Sequence, residues 1–169
     1  MRALGWLSIA VLLSLCGSAA AEDSRPTATA WPLTFFSGKS EGNGELRILF
    51  SQAKPFQVQS SGRVRRDGAL VLQQTIRIAG EKPTRREWLL KRAAGDRYVG
   101  TLTEAAGPVT GEVSGNRLVL RYTMKSALHP RIRQVLTLQP DGRTVANELQ
   151  ATRFGLLIAS VRETIQRVR

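Results

Sequence analysis

Gln57-Val58-Gln59-Ser60-Ser61-Gly62-Arg63-Val64-Arg65-Arg66-Asp67-Gly68-Ala69-Leu70-Val71-Leu72-Gln73-Gln74-Thr75-Ile76-Arg77-Ile78 decides the fold. Val58, Ser60, Gly62 and Val64 fall on one side of a period of two, with Gln57, Gln59, Ser61 and Arg63 on the other. Asp67-Gly68 supplies a two-residue turn whose backbone needs positive φ, a strong local signal for a hairpin. Leu70, Leu72, Gln74, Ile76 and Ile78 then resume the alternation against Val71, Gln73, Thr75 and Arg77. A helix spreads its apolar positions at three and four, so this pattern predicts two antiparallel strands.

The same rhythm extends in both directions. Upstream, Leu46, Ile48 and Phe50 alternate with Arg47 and Leu49. Downstream, Gly80-Glu81-Lys82-Pro83 turns the chain into a strand carrying Trp88 and Leu90 on one face, and Gly95-Asp96 turns it again. Tyr98, Gly100 and Leu102 share the next face; Val109 to Ser114 runs back; Gly115-Asn116 makes a tight hairpin into Leu118, Leu120, Tyr122 and Met124. A longer connection holds His129-Pro130, Val135 to Leu138 is a strand, and Asp141-Gly142 is a second Asp-Gly turn. The last part reads two ways: Val145 to Phe154 and Leu156 to Val168 make strands meeting at Gly155, or Leu157, Val161, Ile165 and Val168 make a helical stripe. The β-branched residues there favour strands. The fold class is therefore all-β: an antiparallel meander of 8–10 strands that closes on itself or forms a sandwich, with closure removing the edges an open meander would expose.

The start of the chain reads as a targeting segment. Arg2 is followed by the apolar run Leu4 to Leu15 and by small residues ending at Ala19-Ala20-Ala21, the order of a secretory signal peptide and too short a run for a bilayer span of about 20 residues. The expected organisation is a signal peptide over 1–21, a flexible lead-in over 22–34 with a short plug at Trp31 to Phe36, and a single barrel domain over 35–169. The single cysteine, Cys16, lies in the signal. Leu13-Ser14-Leu15-Cys16 approaches a lipobox but has the large Leu15 before the cysteine, which disfavours a lipid anchor. The expected location is the periplasm or cell envelope.

Net charge is +12, and removal of the signal would leave +11. In an envelope compartment such a field points to anionic membrane surfaces rather than nucleic acid. The bases are scattered, with no tract of five, and aromatic residues are sparse among them.

Catalytic chemistry needs convergent titratable groups, and few are present. The one histidine, His129, precedes a proline in a loop. Asp67, Asp96 and Asp141 each sit beside a glycine, where Asp accepts local backbone hydrogen bonds. Glu112 and Glu163 lie on strands, where one could face inward beside an arginine. Ser37-Gly38-Lys39-Ser40 lacks the earlier glycine of a phosphate-binding loop, since Leu33 stands in its place. No metal-ligand spacing occurs. The expectation is a non-enzymatic protein without catalytic residues, cofactor or metal.

Phe35-Phe36-Ser37-Gly38-Lys39-Ser40-Glu41-Gly42-Asn43-Gly44, Arg97-Tyr98-Val99-Gly100-Thr101-Leu102, Gly107-Pro108-Val109-Thr110-Gly111-Glu112 and Arg153-Phe154-Gly155 are similar, in that order, to a family of uncharacterised bacterial envelope proteins, many of them lipoproteins. The resemblance covers most of the mature chain. It implies that the meander of 8–10 strands closes into a calycin-like, lipocalin-like barrel, and it brings no established activity. Inside such a barrel the candidate ligand-cavity lining is Val58, Leu72, Gln74, Ile76, Trp88, Leu90, Tyr98, Leu102, Leu120, Tyr122 and Met124, suited to an apolar small molecule or lipid. The same side chains describe an ordinary filled core, with recognition left to a basic outer surface.

Overall fold

A computed structural model describes residues 30–168; the expected signal peptide, Cys16 and the lead-in up to residue 29 lie outside the described residues. One short helix, α1 (Trp31–Phe36), precedes ten strands: β1 (Gly38–Ile48), β2 (Lys54–Val64), β3 (Leu70–Ile78), β4 (Thr84–Arg92), β5 (Arg97–Leu102), β6 (Val109–Ser114), β7 (Arg117–Thr123), β8 (Arg131–Leu138), β9 (Thr144–Arg153) and β10 (Leu156–Arg167). Each strand pairs antiparallel with its sequence neighbours, and β1 pairs with β10 to close the barrel, with Leu46 opposite Val161. The ambiguous C-terminal segment is thus two strands, meeting at Phe154 and Gly155.

Turn chemistry sets the hairpins. Gly68, Gly115 and Gly142 take φ of 78°, 56° and 64°, conformations that a Cβ disfavours. Asp141 accepts bonds from the amides of Arg143 and Thr144 at 2.9 Å each and from Thr144 Oγ1 at 2.6 Å, which holds its carboxyl below the ordinary value, the Thr144 hydroxyl most of all.

The alternation fixes which side chains face in. Val109, Val145, Tyr98, Leu70, Leu118 and Val113 are almost wholly buried. The inward positions lie in rows: Leu90–Leu70, Trp88–Leu72 and Arg86–Gln74–Ser60 are direct cross-strand neighbours.

Residues 31–34, expected as part of the lead-in, belong to α1. Pro32 presets the backbone of the first turn, and Trp31, Pro32, Phe35 and Phe36 are buried. The helix seals one end of the barrel. Phe35 meets Trp31 and Phe36 edge to face, at 6.3 and 4.9 Å between centroids, and Arg167 Nη2 donates to the Ser37 carbonyl at 3.1 Å. A Cβ on Gly62 would overlap the Phe36 carbonyl oxygen, so the sealed end needs glycine there.

The far end carries the β1–β2, β3–β4, β5–β6, β7–β8 and β9–β10 connections. Phe50, expected in line with Leu46 and Ile48, lies past the end of β1 in a turn, with φ of 62° and full exposure.

Candidate functional site

The inward rows are not uniformly apolar. A belt of polar side chains crosses the middle of the barrel, between an apolar layer against α1 and a second apolar layer toward the far end. It has two parts.

In the first, Gln74 is the centre. Its Oε1 accepts from Arg86 Nε and from Trp88 Nε1, both at 2.8 Å, and its Nε2 donates to Ser60 Oγ at 3.0 Å. Arg86 also lies 3.7 Å from a Glu104 carboxylate oxygen and 5.6 Å from the centroid of the Trp88 ring. The second part is a linear chain. Tyr122 donates its hydroxyl to Gln134 Oε1 at 3.2 Å, Gln134 Nε2 donates to Asn147 Oδ1 at 3.0 Å, and Asn147 Nδ2 donates to Glu163 Oε2 at 2.7 Å. The two parts meet where Trp88 and Tyr122 pack edge to face, 5.6 Å between centroids.

Burial dominates the electrostatics. It pushes the Glu163 carboxyl above its ordinary value, against the Asn147 hydrogen bond and the Arg86 charge, which pull it down. It pushes the Tyr122 hydroxyl up to about 12, with Arg86 opposing and Glu104 adding to the rise. Tyr98 is raised by the same cause, opposed by Arg92. β1 makes room for the buried acid: Gly42 faces it, and Gly44 pairs with it across the seam.

A void of about 40 Å³ lies between the belt, at Gln74, Arg86, Gln134, Asn147 and Glu163, and the apolar layer against α1, at Phe36, Leu70, Leu72, Leu90, Leu118, Leu120, Leu136 and Ile165. That is room for a water or a few, not for a lipid tail. Above the belt, Leu46, Ile76, Ile78, Leu149 and Val161 keep the inward register but are only half-buried. Ser40 Oγ is buried and has no hydrogen-bond partner among the described residues.

Of the candidate lining residues, Val58, Leu72, Gln74, Trp88, Leu90, Tyr98, Leu102, Leu120 and Tyr122 are buried on the inner face. Ile76 is half-buried. Met124 lies past β7, half-buried, in an isolated bridge with Ala105. Gln134 and Asn147 were not among those candidates; the available signal was their place in the inward register, between Ile132 and Leu136 and between Val145 and Leu149. Glu163 is the inward acid of the pair considered from sequence, and Glu112 is exposed. Among the described residues no three acidic, histidine or cysteine side chains are placed to hold a metal ion.

The family model described as "Protein of unknown function (DUF3833)" matches residues 10–167. No curated protein matches the sequence. The fold is similar to the crystal structure of Rv2717c from M. tuberculosis, with a TM-score of 0.62 at 16% identity over 83% of this chain and 98% of that one. It is also similar to the S-type phycobiliprotein lyase CPES from Guillardia theta, at 0.59 and 6% identity, over 81% of this chain and 90% of that one. A protein of unknown function from the DUF3598 family of Nostoc punctiforme gives 0.57 at 11% identity, over 80% of this chain and 49% of that one.

Proposed function

The chain belongs to the DUF3833 family of proteins of unknown function, and we propose that it is a non-enzymatic protein of the cell envelope whose barrel interior is a structural core and whose outer surface does the recognising. The observation that carries this reading is the close packing of the barrel at the belt and against α1. The belt joins its charged and amide groups in hydrogen bonds, and about 40 Å³ is left between it and the apolar layer against α1. A satisfied polar network in a packed core rigidifies and specifies one fold. Export rests on Arg2, the Leu4 to Leu15 run and the Ala19 to Ala21 site. The charge of +12 favours an anionic partner outside the barrel.

A second reading is that the barrel holds a small apolar molecule or lipid. The half-buried apolar residues above the belt and the unpartnered Ser40 hydroxyl favour it, and the fold shared with a phycobiliprotein lyase is compatible with it. It requires side chains of the belt or the upper layer to move aside.

Native mass spectrometry of the protein purified from its own envelope separates the two. The filled-core reading expects the bare polypeptide mass. A stoichiometric co-purifying apolar molecule, displaced by Leu149→Trp, overturns it in favour of the second.

A further inference from the structure

Ten large apolar side chains are markedly exposed among the described residues, and seven of them sit at the far end of the barrel: Ile48, Leu49, Phe50, Leu128, Phe154, Leu156 and Leu157. They belong to three hairpins that are consecutive around the rim, β7–β8, β9–β10 and β1–β2, because β8 neighbours β9 and β10 neighbours β1. The last two are tied together where the Leu49 amide donates to the Ile158 carbonyl at 2.9 Å.

The two aromatics are the most exposed of the seven. Phe50 is 100% and Phe154 86% exposed, and both take left-handed backbone, with φ of 62° and 51°. A bulky residue in that region is uncommon and strained. Such strain gathers where a segment meets a ligand.

The three hairpins themselves carry charge of one sign, although Lys54 is paired with Glu81 of the adjacent β3–β4 turn at 2.8 Å. The segments 48–54, 124–131 and 153–157 contain no acid, but hold Lys54, Lys125, Arg131 and Arg153. Just behind the rim, the outer face of β7 and β8 forms a concavity of about 360 Å³ lined by Arg121, Arg131, Arg133 and Thr152. Arg121 stands directly opposite Arg133, a repulsive cross-strand pair. None of these three arginines has an acidic partner among the described residues. Arg153 covers the Phe154 ring, 4.2 Å from its centroid, as an interfacial arginine does beside an aromatic.

We propose that this end docks on an anionic phospholipid bilayer, with Phe50 and Phe154 entering the acyl boundary and Arg121, Arg131 and Arg133 meeting headgroup phosphates. The proposal rests on the surface-recognition reading above and names its partner. Apolar tips within a basic collar combine buried apolar area with attraction to anionic lipid, the two terms that hold a protein at such an interface.

The test is co-sedimentation of the full chain with vesicles of phosphatidylcholine alone or mixed with phosphatidylglycerol. Every variant carries the same Leu4 to Leu15 run, so differences between variants report the rim. Expected results are tighter binding to the anionic vesicles that weakens with added salt, and a loss of about tenfold or more in Phe50→Asn/Phe154→Asn. Asparagine tolerates the left-handed backbone, and circular dichroism checks that the fold is kept. Arg131→Gln/Arg133→Gln should lose the preference for anionic over neutral vesicles. Phe154→Trp should shift its emission to the blue on anionic vesicles. Equal binding by the asparagine variant, an unshifted Trp emission or an absence of vesicle binding overturns the proposal. Any of these outcomes leaves the filled-core reading standing, since that reading is judged by what co-purifies with the protein.

Discussion

Gly42 and Glu163 compete for one place inside the barrel: a Cβ on Gly42 would overlap Glu163 Oε1 and lie 2.8 Å from its Cδ. A buried carboxyl is held in the core of a protein with 25 basic residues, not through a direct ion pair but through Asn147 and the space that a glycine leaves. Because the obstacle is the end of a side chain, the conflict can be relieved. Gly42→Ala should destabilise by about 1–3 kcal/mol, as overpacking does. Adding Glu163→Ala should cost less than the sum of the two single changes, a coupling measurable by urea unfolding in a double-mutant cycle. Gly44→Ala should show no such rescue, because its Cβ would overlap the Arg162 carbonyl, which is backbone.

Burial raises the Glu163 carboxyl above its ordinary 4.5. The folded protein then binds that proton more tightly than the unfolded chain. Stability from this group is fully present below 4.5 and is lost as pH rises through the raised value. Glu163→Gln keeps an acceptor for Asn147 and removes the buried charge. Its melting temperature should exceed the wild type's by a few degrees at neutral pH, with the difference shrinking toward pH 4. A gap that grows on acidification contradicts this account.

Both tyrosines of the chain resist ionisation in the fold. Tyr122 is pushed up to about 12 and Tyr98 is also raised. At pH 10, where a free phenol is half ionised, the phenolate absorbance should reach well under half of its final value, with the remainder appearing on alkaline unfolding. Tyr122→Phe should remove the later-titrating share.

Gln74 joins three side chains on the two strands that flank its own, so no single neighbour replaces it. Gln74→Leu leaves Trp88 Nε1 buried without an acceptor and frees Ser60 and Arg86. The expected cost is about 2–4 kcal/mol, read as a lower urea midpoint. Gln74→Glu keeps both acceptor bonds and should cost less.

Much of the barrel was legible because side chains that face alternately in and out leave a period of two, and because Asp67-Gly68, Gly115-Asn116 and Asp141-Gly142 mark turns that only a few residue types make. The last strand was ambiguous for a geometric reason: Leu157, Val161, Ile165 and Val168 satisfy a helical stripe, while Val161 and Ile165 also satisfy a strand face. Pairing with both β9 and β1 decides it, and pairing partners are not local information. Helix α1 has six residues, too few to show a helical period. The belt was legible only in pieces. Gln74 and Ser60 stood out as polar interruptions in the inward register, but whether Gln134, Asn147 and Glu163 meet depends on strand stagger, which the sequence does not display. Phe50 continues the alternation of Leu46 and Ile48 in the sequence, but it stands in the turn past β1, where its apolar ring marks an exposed tip.

The seam between β1 and β10 also governs the order in which this barrel can be made. The other nine pairings are hairpins, each available as soon as its second strand exists. The seam joins the first strand to the last, so on an emerging chain the open edge of β1 waits for residues from 156 onward. Until then that edge, with Leu46 and the glycines that will receive Glu163, is an unpaired ladder of the kind on which neighbouring chains associate. Closing the barrel therefore requires that this edge stay free of other chains until β10 reaches it.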